Sequence, residues 1–153
     1  MSRYRLAPVT TPELWTALHD IRRAVLFRSD RHAASFVYDD NHPDDRKAQH
    51  HPFVLLFDEE PVGTTRLDEL GAGRGVVRLV AIASERQGRG HGRVLGELID
   101  EEARRLGIGV LHVNAFPDAV GYYEALGWRR DDWDPRELFG ISAESVQMSK
   151  VLG

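Results

Sequence analysis

The sequence predicts a mixed α/β domain, and three features carry that expectation. Apolar runs of strand length alternate along the chain with segments of helical periodicity. The run "VVRLVAIA" (76–83) is apolar apart from Arg78, the pattern of a central strand covered on both faces. It leads directly into "SERQGRGHGR" and then into the stripe Leu95, Leu98, Ile99, Ala103 and Leu106, which has helical spacing. A length of 153 residues suits one domain with a real core, so we expect a single domain over 1–153.

The elements follow in order. "YRLAPV" (4–9) reads as a short strand. Thr11 is placed to cap a helix that starts at Pro12, with Leu14, Leu18, Ile21 and Val25 on one face. Residues 28–51 are polar and read as a loop with room for a short helix. "PFVLLFD" and "PVGTTRLDEL" read as a hairpin turning near Asp58–Pro61. "GAGRG" (71–75) lies between two strand-like runs and reads as a second hairpin turn. The helix after the glycine loop has acids before Arg104 and Arg105 and can close at Gly107. "VLHVNAF" (110–116) is a strand, "PDAVGYYEALG" a short helix ending at Gly127, and "SVQMSKVL" a final strand.

Composition narrows the function. A net charge of −4 gives no global pull toward nucleic acid. There is no cysteine, which removes disulfides, thiolate metal sites and a cysteine nucleophile, and fits a reducing compartment. The first residues lack a long apolar run, so we expect neither signal peptide nor membrane span, and a cytoplasmic enzyme or binding module remains.

The chemistry sits in the glycine loop. Strand, glycine loop and helix N-terminus together make an anion site, because unpaired N–H groups point outward there and the helix dipole favours negative charge. Glycine lets a phosphate approach the backbone, and Gln87, Arg89 and Arg93 add side-chain donors. The loop lacks the Gly-Lys-Ser/Thr of a Walker site. It also fails the dinucleotide fingerprint: Gly88 and Gly90 are present, but Arg93 stands where the third glycine belongs. Gln87, Gly90 and Gly92 do satisfy Gln/Arg-x-x-Gly-x-Gly/Ala.

On these residues the chain resembles the GNAT acetyltransferase superfamily. "VAIASERQGRGHGRVLGELI" is similar to its acetyl-coenzyme A loop, and "AVGYYEALGW" (119–128) to its aromatic–Tyr–Glu–x–x–Gly–aromatic element. The resemblance covers about 76–128. It implies a mixed six- to seven-stranded sheet splayed between its fourth and fifth strands and flanked by about four helices. It further implies that acetyl-CoA is the acyl donor. Pantetheine would lie along Val80, Ala81 and Ile82, pairing with the backbone of Val80 and Ile82. The pyrophosphate would sit on the amides of Gln87, Gly88, Arg89, Gly90, His91, Gly92 and Arg93. The acceptor would be a small-molecule or peptide amine, with no nucleic acid or membrane partner, no metal, and room for a homodimer.

Tyr123 is the expected catalytic residue. Acyl transfer from a thioester expels a thiolate, and a phenol of reference pKa about 10 can protonate it. A packed aromatic is the alternative use of the same residue. Tyr122 fills the family's plain aromatic slot and is expected in the core. The amine must also lose a proton, and here the chain departs from the family: "VVRLVAI" carries Arg78 and no acid. Asp68, Glu69, Glu85 and His112 lie nearby without qualifying as a base. The asparagine that many members place seven residues before the tyrosine is Phe116 here. Asn114, two residues earlier on the same strand face, can contact pantetheine or serve as an edge polar group. Seven histidines show no metal-ligand spacing. The acidic stretch Asp39–Asp45 is a solvated face that can also attract a cationic amine. Because the strand acid is missing, a non-catalytic acyl-CoA-binding module stays open beside the N-acetyltransferase reading.

Overall fold

The computed structural model describes residues 2–27 and 37–153, so residues 28–36 of the expected polar loop lie outside the described residues. The strands are β1 (Tyr4–Pro8), β2 (His50–Phe57), β3 (Glu60–Gly71), β4 (Arg74–Ile82), β5 (Val110–Ala115), β6 (Arg129–Arg130) and β7 (Val146–Val151). They form one sheet in the order β1-β2-β3-β4-β5-β7-β6. β4 and β5 are parallel, and every other neighbouring pair is antiparallel. The helices among the described residues are α1 (Pro12–Val25), α2 (His91–Arg105) and α3 (Val120–Ala125), three rather than the expected four or so, supplemented by short 3-10 turns.

Local chemistry explains these boundaries. The Thr11 hydroxyl accepts the Leu14 amide at 3.2 Å and starts α1 as expected. The β2–β3 turn places Asp58 and Glu59 at φ 51° and 65°, a two-residue hairpin geometry that usually draws on Asn or Gly. Arg3, just before the neighbouring strand, and Arg5 on it hold the two acids in place.

β2 is buried on both faces. Phe53 and Leu55 join the core beneath α2 and α3, which includes Leu67, Leu95, Ile99, Leu111 and Met148. Val54 and Leu56 join Ala7 and Leu18 beneath α1. This double coverage is why β2 reads as a continuous apolar run rather than an alternating one. α1 also buries Arg22, only 1% exposed, which its apolar stripe did not announce.

Candidate active site

The site begins where β4 and β5 part. Their ladder runs from Arg74–Val110 to Val77–Val113 and stops, although β4 continues to Ile82 and β5 to Ala115. The register between β3 and β4 slips between Thr64 and Arg66, and Leu79 sits at φ +56°. A branched residue in that region costs about 1–3 kcal/mol and marks a bulge held by its surroundings. The Ala83 amide bonds back to Val62 at 2.8 Å. Strand alternation therefore turns the backbone groups of Val80 and Ile82 away from β3, toward the gap. The Ile82 carbonyl there accepts the Gln87 side-chain amide at 3.1 Å.

The glycine loop closes one end of the gap. Gly88 and Gly90 adopt φ +77° and +85°, with open space where a Cβ would stand. Gly90 is the N-cap of α2 and offers no side chain to its first amides. Gly92 has a different reason: a Cβ there would meet the Tyr122 ring at 3.1 Å. A cavity of about 470 Å³ runs along this loop, lined by Val80, Ala81, Ile82, Gln87, Gly88, Gly90, His91, Gly92 and Arg93. Arg89 is exposed beside it, and Arg93 reaches Glu97 at 3.2 Å. The His91 ring turns inward, with Nδ1 2.8 Å from the Tyr4 hydroxyl, so only its backbone faces the loop. Burial, then Arg86 and Arg89, lower its pKa.

α3 delivers the two tyrosines to different tasks. Tyr122 donates to the Gly92 carbonyl at 2.6 Å, tying α3 to the first turn of α2, and burial pushes its pKa up to about 12. Tyr123 is 6% exposed, and burial raises its pKa strongly. Its ring lines the 470 Å³ cavity and also a second one of about 160 Å³, which lies over the parted strand ends.

Across the gap, Arg78 of β4 and Asn114 of β5 converge on one carboxylate. Arg78 donates to both oxygens of Glu137 at 2.9 and 3.1 Å, and Asn114 donates to the same side chain at 3.0 Å. The Asn114 oxygen accepts from Gln147 at 2.9 Å. Asn114 thus lines the smaller cavity together with Arg78. Glu137 belongs to the 3-10 turn Pro135–Glu137, a stretch with no periodicity to single it out. Its only signal was negative: Arg78, half-buried in an otherwise apolar strand, needs an acid from elsewhere.

Most of the acids near the site in sequence, and the histidine, are engaged. Asp68 is held by Arg66 at 2.8 Å and by Arg78 at 2.9 Å. Glu69 pairs with His51 at 2.7 Å, and His112 bonds Ser149 and Arg74 at 2.6 and 3.0 Å. Glu85 is exposed on the turn before the loop. Among the described residues no cluster of His, Asp and Glu is arranged to hold a metal, and no helix is long and apolar enough to cross a membrane.

A splayed β4–β5 pair ending in a glycine loop and helix N-terminus defines an acyl-CoA transferase fold. The chain matches the model of the acetyltransferase (GNAT) family over residues 15–128 and belongs to that family. It is therefore an acetyltransferase using acetyl-CoA, which sets aside the non-catalytic alternative. Solved structures agree on the fold. A candidate N-acetyltransferase from Lactobacillus plantarum is 24% identical with TM-score 0.77, over 99% of this chain and 100% of that one. The ribosomal-protein-S18-alanine N-acetyltransferase from Escherichia coli is 13% identical with TM-score 0.74, over 98% and 94%. An acyl-CoA N-acyltransferase from Pseudomonas aeruginosa is 19% identical with TM-score 0.74, over 97% and 98%. Comparison with curated protein sequences gives no match.

The residues present fit that donor. The loop cavity is of ligand size, in the range of about 300–1,000 Å³. The β4–β5 ladder stops at Val77–Val113 and leaves the strand edges beyond it apart, and left-handed Gly88 and Gly90 leave the loop amides bare.

Proposed function

We propose that the protein moves the acetyl group of acetyl-CoA directly to a primary amine, with Tyr123 as general acid. The observation that carries this reading is the position of Tyr123, on the shared wall of the donor and acceptor cavities. Among the described residues its hydroxyl takes no hydrogen-bond partner, unlike that of Tyr122.

In this reading Val80, Ala81 and Ile82 hold the pantetheine arm, with Gln87 yielding the Ile82 carbonyl. The amides from Gln87 to Arg93 hold the pyrophosphate, including the backbone of Gly88, Arg89, Gly90, His91 and Gly92. Asn114 stands on the acceptor side and anchors Glu137 there. The donor supplies a thioester, whose C–S bond breaks as the amine forms its new C–N bond. Backbone N–H at the gap stabilises the charge that develops on the carbonyl oxygen. Tyr123 passes its proton to the departing sulfur, while the surplus proton of the amine leaves to water and the phenol is reprotonated from solvent. A phenol is protonated at neutral pH, and burial raises the Tyr123 pKa further, so the acid is loaded. The same desolvation raises the basicity of a thiolate leaving beside it. Holding both reactants side by side removes much of the entropic barrier.

Thermal shift with acetyl-CoA, CoA, ATP and NAD tests the donor half. A ligand at 100 times its Kd adds about 2.7 kcal/mol, a readable change in Tm. Stabilisation by both CoA species and by neither nucleotide is expected. A preference for ATP or NAD overturns the reading of the loop.

A further inference from the structure

The acceptor side differs in character from the donor side. Its cavity holds about 160 Å³, close to the roughly 150 Å³ of an apolar cavity that accepts one benzene. Leu26, Phe27, Leu79, Phe116 and Ile141 supply apolar walls. The polar end consists of Arg78, Asn114, Ser142 and Ser145.

The charge state of that end is specific. Arg78 uses its Nε on Asp68 and one N–H of each terminal nitrogen on Glu137, which leaves one donor on each terminal nitrogen. Asn114 spends one amide N–H on Glu137 and its oxygen on Gln147, leaving one more donor. Among the described residues no carboxylate lines this cavity. Three carboxylates packed near it are committed to arginines: Glu137 to Arg78, Asp68 to Arg66 and Arg78, and Asp45 to Arg22 and Arg66. In the acidic loop Asp40 is held by Arg23 and Asp44 by Lys47, and the exposed Asp39 lies outside the lining of this cavity. A polycation entering this cavity would lose hydration and find no carboxylate among its described lining residues in return.

Resting on the acyl-transfer reading above, we infer that the acceptor is a small monoamine with an apolar body and one hydrogen-bond-accepting oxygen near the amine. That is the chemistry of an apolar amino acid or its amide. The apolar body fills the Leu26–Phe27–Ile141 walls, the oxygen takes the spare donors of Arg78 and Asn114, and the amine is left toward Tyr123.

The test uses the full chain with leucine, phenylalanine, their amides, phenethylamine and spermidine. Binding to the CoA-saturated protein is read by calorimetry, and turnover by release of free thiol from acetyl-CoA. The amino acids or amides should bind, with kcat/KM at least tenfold above phenethylamine, which lacks the oxygen, and a hundredfold above spermidine. Free acids ahead of amides assign a carboxylate to Arg78; amides level or ahead assign a carbonyl. Ile141→Glu, at a half-exposed wall position, should cut turnover of the preferred amine at least tenfold with acetyl-CoA affinity unchanged. Spermidine equal to or better than the amino compounds overturns the inference while leaving acyl transfer standing. So does a panel in which no amino compound binds or reacts although acetyl-CoA stabilises the protein. If acetyl-CoA itself fails to stabilise it, the acyl-transfer reading falls and takes this inference with it.

Discussion

Two adjacent tyrosines on one short helix differ in what holds their hydroxyls. Tyr122 spends its hydroxyl on the Gly92 carbonyl, whereas Tyr123 presents its own to the cavities. Their phenylalanine variants should therefore fail in opposite ways. Tyr122→Phe removes the hydrogen bond that ties α3 to α2 and should cost about 1 kcal/mol of stability with little change in kcat. Tyr123→Phe should leave Tm and acetyl-CoA affinity nearly unchanged and lower kcat by about a hundredfold, the scale of a lost general acid. Denaturant melts and steady-state rates on the same pair decide it. Full turnover by Tyr123→Phe would reduce that residue to a packed aromatic.

At the scale of elements, the donor site depends on close spacing between β3 and β4. A Cβ at Gly63 would stand 3.0 Å from the Ala81 carbonyl and 2.8 Å from Ile82 Cδ1. The carbonyl cannot swing away as a side chain can, so β4 must move just where it should meet pantetheine. Gly63→Ala should cost about 1–3 kcal/mol and weaken acetyl-CoA binding together. An unchanged Tm and Kd would mean that β4 has slack at this point. The same strand shows what a sequence reveals and hides. The apolar run 76–83, the loop and the α2 stripe were legible because periodicity and glycine spacing are local signals. The bulge at Leu79 was not, since a left-handed leucine is imposed by neighbours rather than by propensity. β6, two residues long, carries no period at all. Glu137 met Arg78 and Asn114 only through tertiary pairing across 59 and 23 residues of chain. In the loop, the glycines were legible as a group but not their division of labour. Backbone conformation requires Gly88 and Gly90, whereas packing against Tyr122 requires Gly92.

For the whole molecule, buried histidines and paired acids set a two-step response to pH. Burial foremost lowers the pKa of His19, His91 and His112, and neighbouring arginines add to it in each case. A folded pKa below the unfolded value of about 6.5 means that the unfolded chain takes up protons first. Stability is therefore full above about pH 6.5 and declines as pH falls below it. The acids give a second, lower step. Burial works to raise the Asp45 pKa, but hydrogen bonds and charge from Arg22 and Arg66 outweigh it and leave it lowered. Lys47 lowers Asp44, and Arg23 lowers Asp40. Their contribution is present above the unfolded pKa of about 3.9 and disappears as pH falls through the folded values. Melting temperatures from about pH 8 down to about pH 3 should thus fall in two limbs, one starting near 6.5 and one near 4. His91→Asn keeps a partner for the Tyr4 hydroxyl but removes one titrating group, so it should flatten the upper limb and leave the lower one in place. Asp45→Ala should act on stability at neutral pH instead, costing about 3–5 kcal/mol, because it strands Arg22 without a counter-charge in the interior and leaves Arg66 with Asp68 alone. A Tm that stays flat between about pH 8 and pH 5 would show that these histidines are protonated as readily in the folded protein as in the unfolded chain.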